Sequence, residues 1–90
     1  MREFDIEEKL HKILKKLSKK DAKRYEIIWK KIHEIINSTD IGHYKNLKYP
    51  LNDFKRIHID KSFVLTFRYD KTDDLVIFYD FDHHDKIYKN

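Results

Sequence analysis

The sequence contains no cysteine, one glycine and one proline, and these shortages exclude several classes of protein. Without cysteine there is no disulfide, no thiolate nucleophile and no zinc site built on thiolates. One glycine and one proline are too few for collagen-like repeats, glycine linkers or proline-rich segments. The N-terminus lacks the apolar core of a signal peptide, and no apolar run reaches the roughly 18 residues of a membrane span. We therefore expect a cytoplasmic protein without a membrane segment.

The 90 residues are enough for one small domain, 1–90. The net charge is +4 and is unevenly spread. The first 37 residues carry eleven basic against seven acidic side chains, whereas the last twenty carry three against five. A basic surface of this kind is typical of nucleic-acid binding, and equally of a lysine-rich helix face that only confers solubility.

Two amphipathic helices are predicted in the first half of the chain, near 5–18 and 20–37. Apolar residues from Leu10 to Leu17 recur at the spacing of one helical face, and a second stripe runs from Tyr25 to Ile36. Asp5 is the expected N-cap of the first helix, and Ser18 with Asp21 resembles a capping box between the two helices. A break this short predicts an antiparallel helical hairpin.

The second half changes to a period of two residues, which predicts strands at 53–59, 63–68 and 75–81. The last of these is a nearly unbroken apolar run, typical of a central strand buried on both faces. Residues 2–4 are extended and can add a short edge strand. The predicted fold class is α+β: an N-terminal helical hairpin on one face of a small twisted antiparallel sheet, in the order β-α-α-β-β-β.

Basic side chains are predicted to share the sheet face that points away from the helices. If Ile57 and Ile59 face the helices, Arg56 and His58 point the other way. Arg68 takes the same face, and His83 and His84 follow the last strand. Histidines titrate near neutral pH, so a pair can supply a general base and a general acid beside a phosphate-binding cation. The pattern fits RNA cleavage, and also fits ordinary exposed polar residues.

The acidic end of the last strand allows a metal site as an alternative. Alternate residues of a strand share a face, so Asp80, Asp82 and His84 could bind Zn²⁺ or Mn²⁺. The adjacent His83 and His84 are expected to point in opposite directions. The opposing interpretation is that the acids are solvated or paired with Lys and Arg. We favour this second interpretation, and predict no metal site and no cofactor.

Several segments together resemble the RelE/ParE superfamily of toxins from type II toxin–antitoxin systems. The helical hairpin comes first, and the segment YKNLK at 44–48 is similar to the family's K-L-x-G loop. DFKRIHI at 53–59 and SFVLTF at 62–67 resemble two family strands, and DHHDKIY at 82–88 resembles the G-H-R-x-x-V-Y ending. The order and spacing of the segments carry the resemblance, which covers most of the chain.

The resemblance to the RelE branch implies a metal-independent endoribonuclease that cuts mRNA on the ribosome and inhibits translation. It implies His58 as general base, Arg56 as phosphate clamp, His84 as general acid, and Tyr88 as a residue that stacks on a base or orients the phosphate. Further RNA-binding residues are expected at Lys45, Lys48, Lys61, Arg68, His83 and Lys86. The implied partners are a cognate RelB-like antitoxin, the ribosome and mRNA.

One position departs from the family pattern. The arginine expected in the second of these strands is Val64 here, and Arg68 lies about 13 Å further along the strand. The alternative is therefore a non-catalytic ParE-like toxin that binds gyrase, or an inactive toxin relative. An enzyme would depend on His58 and His84, whereas a binding module would not.

Overall fold

The computed structural model describes residues 1–88, so the last two residues of the predicted domain 1–90 lie outside it. The chain forms a short strand, a helical hairpin, a 3₁₀ turn, three strands and a final short helix. In order these are β1 (Glu3–Ile6), α1 (Glu8–Lys20), α2 (Ala22–Ile36), the turn (Ile41–His43), β2 (Lys55–Ile59), β3 (Phe63–Asp70), β4 (Leu75–His83) and α3 (His84–Tyr88). Within residues 1–88, no helix has the length and apolar character needed to cross a membrane.

The four strands form one sheet in the order β1-β4-β3-β2. The predicted α+β class, the β-α-α-β-β-β order and the interior position of the last strand are confirmed. The sheet is mixed rather than antiparallel, because β1 runs parallel to β4 while the other neighbours are antiparallel. The helical hairpin carries the chain from β1 at one edge of the sheet to β2 at the opposite edge. β1 is therefore an edge strand, and it runs parallel to its one neighbour, β4.

The helix ends differ from the predicted positions. Asp5 is not an N-cap, because it lies in β1 and pairs with Ile77, and α1 begins after Glu7. The predicted capping box at Ser18 is also wrong, since the Ser18 hydroxyl donates to the carbonyl of Lys15 inside α1. Asp21 alone separates the helices and caps α2.

The main core lies between the helical hairpin and one face of the sheet. Both predicted stripes contribute to it, with Leu10 and Leu14 from α1 and Ile28, Ile32, Ile35 and Ile36 from α2. The sheet supplies Ile59, Leu65, Phe67, Val76, Phe78 and Phe81. The prediction that the last strand is buried on both faces is wrong in part, because Leu75, Ile77 and Tyr79 are only half-buried.

The opposite face of the sheet carries a second, smaller hydrophobic cluster. Leu47, Val64 and Ile87 are buried there, and Leu51 and Phe54 pack against them. The loop 44–54 and helix α3 cover this part of the sheet, so the face is not the open polar surface that strand alternation predicts. Helix α3 is itself unpredicted, because five residues are too few for a helical period to be recognised in the sequence.

Candidate functional site

A basic concavity of about 620 Å³ lies where β2, the loop 44–54 and α3 meet. Apolar side chains of the second cluster line its base, and polar and aromatic side chains surround them. The latter are Asn46, Lys48, Tyr49, Arg56, His58 and Tyr88. Three of the four predicted catalytic residues therefore lie around one concavity, although β2 and α3 are almost thirty residues apart in sequence.

The strand register places Arg56 and His58 in this concavity. Arg56 is opposite Thr66 and His58 is opposite Val64, so both side chains leave β2 on the face away from the helices. The backbone N–H of Arg56 donates to the carbonyl of Lys45 at 2.9 Å and ties the loop to the strand. His58 is exposed, so its imidazole is accessible to a ligand.

Tyr88 connects helix α3 to the arginine. The Arg56 guanidinium carbon lies 5.6 Å from the centre of the Tyr88 ring, within the range of a cation–π contact. The Tyr88 ring is also 6.4 Å from the His84 ring, one helical turn earlier. His84 is not among the residues that line the concavity and lies next to it, in contact with Tyr88.

The change from strand to helix after His83 brings two histidines together. The backbone N–H of His84 donates to the carbonyl of Ser62 at 2.8 Å, where β4 ends and α3 begins. The imidazole rings of His83 and His84 stack with centroids 4.6 Å apart. The expectation that these side chains point in opposite directions is wrong, because strand alternation stops between them.

The predicted RNA-binding residues are dispersed. Lys48 lines the concavity, whereas Lys45 is an exposed loop residue beside it, and Lys61 lies in the turn between β2 and β3. Arg68 is exposed at the far end of β3, opposite Ile77. Lys86 lines a neighbouring groove together with Asp80.

The proposed metal ligands Asp80, Asp82 and His84 do not come together as a set. Asp80 forms an ion pair with Lys9 at 2.9 Å, and Asp82 accepts a hydrogen bond from the backbone N–H of His83. Within residues 1–88, the acidic and histidine side chains close enough to share an ion are His83, His84 and Asp85.

Tyr49 is a feature of the concavity that sequence reasoning missed. Its side chain is 87% exposed, more than that of Tyr88 at 45%. Exposed aromatic rings beside basic residues are typical of surfaces that stack on nucleic-acid bases. The only sequence signal is an aromatic residue in a polar loop, and hydrophobic periodicity does not distinguish it from a core residue.

A curated relative decides the family. The protein named "Putative toxin RelE4" from Methanocaldococcus jannaschii is 58% identical over 89 residues, which cover 99% of this chain and 93% of the relative. This chain belongs to the RelE family of toxins. No family model matches the sequence.

Solved structures of similar toxins share the fold of this RelE-family chain. A metal-bound toxin from Helicobacter pylori has a TM-score of 0.77 at 21% identity, covering 97% of this chain and 99% of that one. The toxin–antitoxin complex RelBE of E. coli has a TM-score of 0.71 at 20% identity, covering 92% and 96%. At these identities the likeness is one of fold.

Val64 is the position where this RelE-family toxin departs from the expected arginine. Its side chain is fully buried against Leu47 and Ile87, so this position presents no cation to the concavity. Arg56 and Lys48 are the cationic side chains that line the concavity in residues 1–88. These two are therefore the cationic side chains that a phosphate at this site would meet.

Proposed function

We propose that this toxin cleaves mRNA on the ribosome without a metal ion and so inhibits translation. The observation that carries the proposal is the joint placement of Arg56, His58 and Tyr88 around one basic concavity, with His84 beside Tyr88. Membership of the RelE family supports the same reading. The general base, phosphate clamp and stacking group then come from a strand and a helix that the second hydrophobic cluster holds together.

The proposed reaction uses the ribose of the RNA as its nucleophile. His58 removes the proton of a 2′-hydroxyl, and the 2′-oxygen attacks the adjacent phosphorus. The bond to the 5′-oxygen breaks, and His84 gives that oxygen its proton. Arg56 stabilises the negative charge that develops on the phosphate, and Tyr88 stacks on a base or orients the phosphate.

The wider RNA surface of the proposal consists of basic side chains around the concavity. These are Lys45, Lys48, Lys61, Arg68, His83 and Lys86. Each phosphate that such a surface neutralises releases counterions, so binding should weaken steeply as salt is added. The residues nearest the concavity, Lys45 and Lys48, should contribute more than the distant Arg68.

An antitoxin is the proposed protein partner. The RelBE complex of E. coli has the same fold in its toxin, and this chain carries a net charge of +4 that an acidic RelB-like antitoxin would neutralise. Expression of the toxin alone should arrest growth, and co-expression of the antitoxin should restore it. Harmless expression at high level would contradict the proposal.

The burial of Val64 favours a second candidate, a non-catalytic ParE-like toxin that binds gyrase or an inactive relative. This candidate needs no acid–base pair and no cation at position 64. For a gyrase-binding toxin it predicts that substitution of both histidines leaves toxicity unchanged, and for an inactive relative it predicts no toxicity at all.

Cleavage of ribosome-bound mRNA by single variants separates the two candidates. His58→Ala and His84→Ala should each slow cleavage by about a hundred- to ten-thousand-fold, because each removes one proton transfer. Arg56→Ala should cost a similar factor through loss of phosphate stabilisation. His11→Ala is the matched control, because His11 is an exposed histidine on α1.

A chelator selective for transition metals tests metal independence while leaving the ribosome its Mg²⁺. Wild-type cleavage should persist in the chelator, and its rate should show a bell-shaped pH dependence. Loss of cleavage in the chelator would show a metal-dependent reaction. Full activity in both histidine variants would refute the acid–base pair.

A further inference from the structure

We propose that His83, His84 and Asp85 form a binding site for a divalent transition-metal ion of the zinc class. One potential ligand atom from each of the three side chains lies within 4.8 Å of the other two. Both histidines are 39% exposed and the carboxylate is 76% exposed, so an ion can reach the site from solvent. The three residues are adjacent in sequence, at the junction between β4 and α3.

The spacing of the ligand atoms is close to that of tetrahedral coordination. Zinc bonds to imidazole nitrogen and carboxylate oxygen measure about 2.0–2.2 Å, which separates neighbouring tetrahedral ligands by about 3.3–3.6 Å. Asp85 Oδ1 lies 3.0 Å from His84 Nδ1, and Asp85 Oδ2 lies 3.5 Å from His83 Nδ1. All three ligand atoms lie within 4.8 Å of one another, so they need to approach by at most about 1.5 Å to surround one ion.

The hydrogen bonding of His83 also fits a cation. The backbone N–H of Asp85 donates to His83 Nδ1 at 3.3 Å, so in this arrangement that nitrogen carries its lone pair. The lone pair and the Asp85 carboxylate then face each other as two electron-pair donors. An ion between them satisfies both and replaces one long hydrogen bond.

Two imidazoles and one carboxylate also determine the kind of ion. This donor set suits Zn²⁺ better than Mg²⁺ or Ca²⁺, which prefer oxygen ligands. Three protein ligands leave a fourth position for water or another ligand. The site differs from the set Asp80, Asp82 and His84, whose Asp80 is paired with Lys9.

Binding of the ion has a consequence that rests on the proposed nuclease function. Zinc bound to Nδ1 of His84 takes the lone pair that would otherwise hold the second proton of an imidazolium. The remaining N–H of a neutral imidazole is a far weaker acid than an imidazolium, so His84 no longer gives a proton readily to the leaving oxygen. The bound ion therefore inhibits cleavage rather than assisting it.

Calorimetric titration of the tag-free chain with Zn²⁺ tests the site in the absence of RNA. We expect one ion per chain. Binding should be at least about tenfold weaker in His83→Ala and in Asp85→Asn, because even the loss of a residue that only hydrogen-bonds to a metal ligand weakens binding by about that factor. Asp85→Asn keeps both histidines and changes an exposed side chain, so it should fold as the wild type does. His11→Ala and Asp73→Asn are the matched controls and should bind as the wild type does.

Co²⁺ supplies a second readout, because tetrahedral coordination gives visible absorption bands that His83→Ala and Asp85→Asn should lose. The ratio of cleavage rates without and with Zn²⁺ should be large for the wild type and approach one in Asp85→Asn. Absence of stoichiometric binding, or equal binding in these variants and the controls, would overturn the proposed site. A chain that binds zinc but cleaves no RNA would refute the nuclease function alone.

Discussion

Substitution of Ile87 by alanine tests how helix α3 is held on the sheet. Ile87 is 7% exposed and is the buried residue of this five-residue helix, where it contacts the cluster of Leu47 and Val64. A helix of five residues has no independent stability in water, so its position depends on this packing. Ile87→Ala should therefore release α3 before the rest of the domain unfolds.

The expected size of the effect follows from the size of the cluster. Truncation of a buried isoleucine to alanine lowers the free energy of unfolding by about 2–5 kcal/mol. Because this cluster has three buried residues, we expect a loss at the lower end of that range, about 2 kcal/mol. At about 1.4 kcal/mol for each factor of ten, local opening becomes about thirtyfold more frequent. Opening also separates Tyr88 from Arg56, so RNA cleavage should fall although Ile87 contacts no reacting group.

Amide hydrogen exchange measured by NMR detects the opening directly. The reporter is the His84 amide, whose hydrogen bond to Ser62 joins α3 to the turn between β2 and β3. Ile13→Ala is the control, because it removes the same atoms from a half-buried isoleucine that packs against the main core on the other side of the sheet. If the His84 amide in Ile87→Ala exchanges as slowly as in the wild type, the cluster does not hold α3 and the reasoning fails.

Three further predictions concern stability. Asp21→Ala should lower the free energy of unfolding by about 1 kcal/mol, because the Asp21 side chain caps α2 by accepting a hydrogen bond from the N–H of Arg24. An unchanged midpoint of urea denaturation would contradict this role. The hydrogen bond from Tyr69 lowers the pKa of Asp74 below its usual range. The ionised carboxylate therefore stabilises the folded state at pH values above its unfolded pKa of about 3.9. This stabilisation is lost as the pH falls through the lower pKa that Asp74 has in the folded state. Asp74→Asn should therefore lower the thermal midpoint at neutral pH but not in strong acid, and an equal deficit at both would refute the assignment. Val64→Arg should lower the free energy of unfolding by about 3 kcal/mol or more, because it places a charge in a fully buried apolar position; a stable variant with faster RNA cleavage would show that the pocket accepts an arginine.

The helical hairpin and the strands were predictable because their residues follow simple periods. The isoleucine stripe of α2 and the alternation in β2 each identify one buried face, and the structure buries both against the same core. The helix ends were less predictable, since Ser18 and Asp21 have similar capping preferences. Only the packed structure shows that Ser18 bonds within α1 while Asp21 caps α2.

The candidate site was predictable where it depends on strand parity. Arg56 and His58 were expected on one face because residues two apart in a strand share a face. The missed features lie where the strand pattern ends: the stacking of His83 on His84 requires a helix to begin at His84, and the exposure of Tyr49 depends on the path of a loop.

The sequence by itself determined the α+β class, the two core-facing stripes and the shared face of Arg56 and His58, because periodicity along the chain is a local property. Tertiary structure determined which side chains from different elements contact one another. The burial of Val64 beneath Ile87 and the contact of Arg56 with Tyr88 join residues more than twenty positions apart. Such contacts depend on how α3 and the loop 44–54 fold back over the sheet, and no local pattern in the sequence encodes that path.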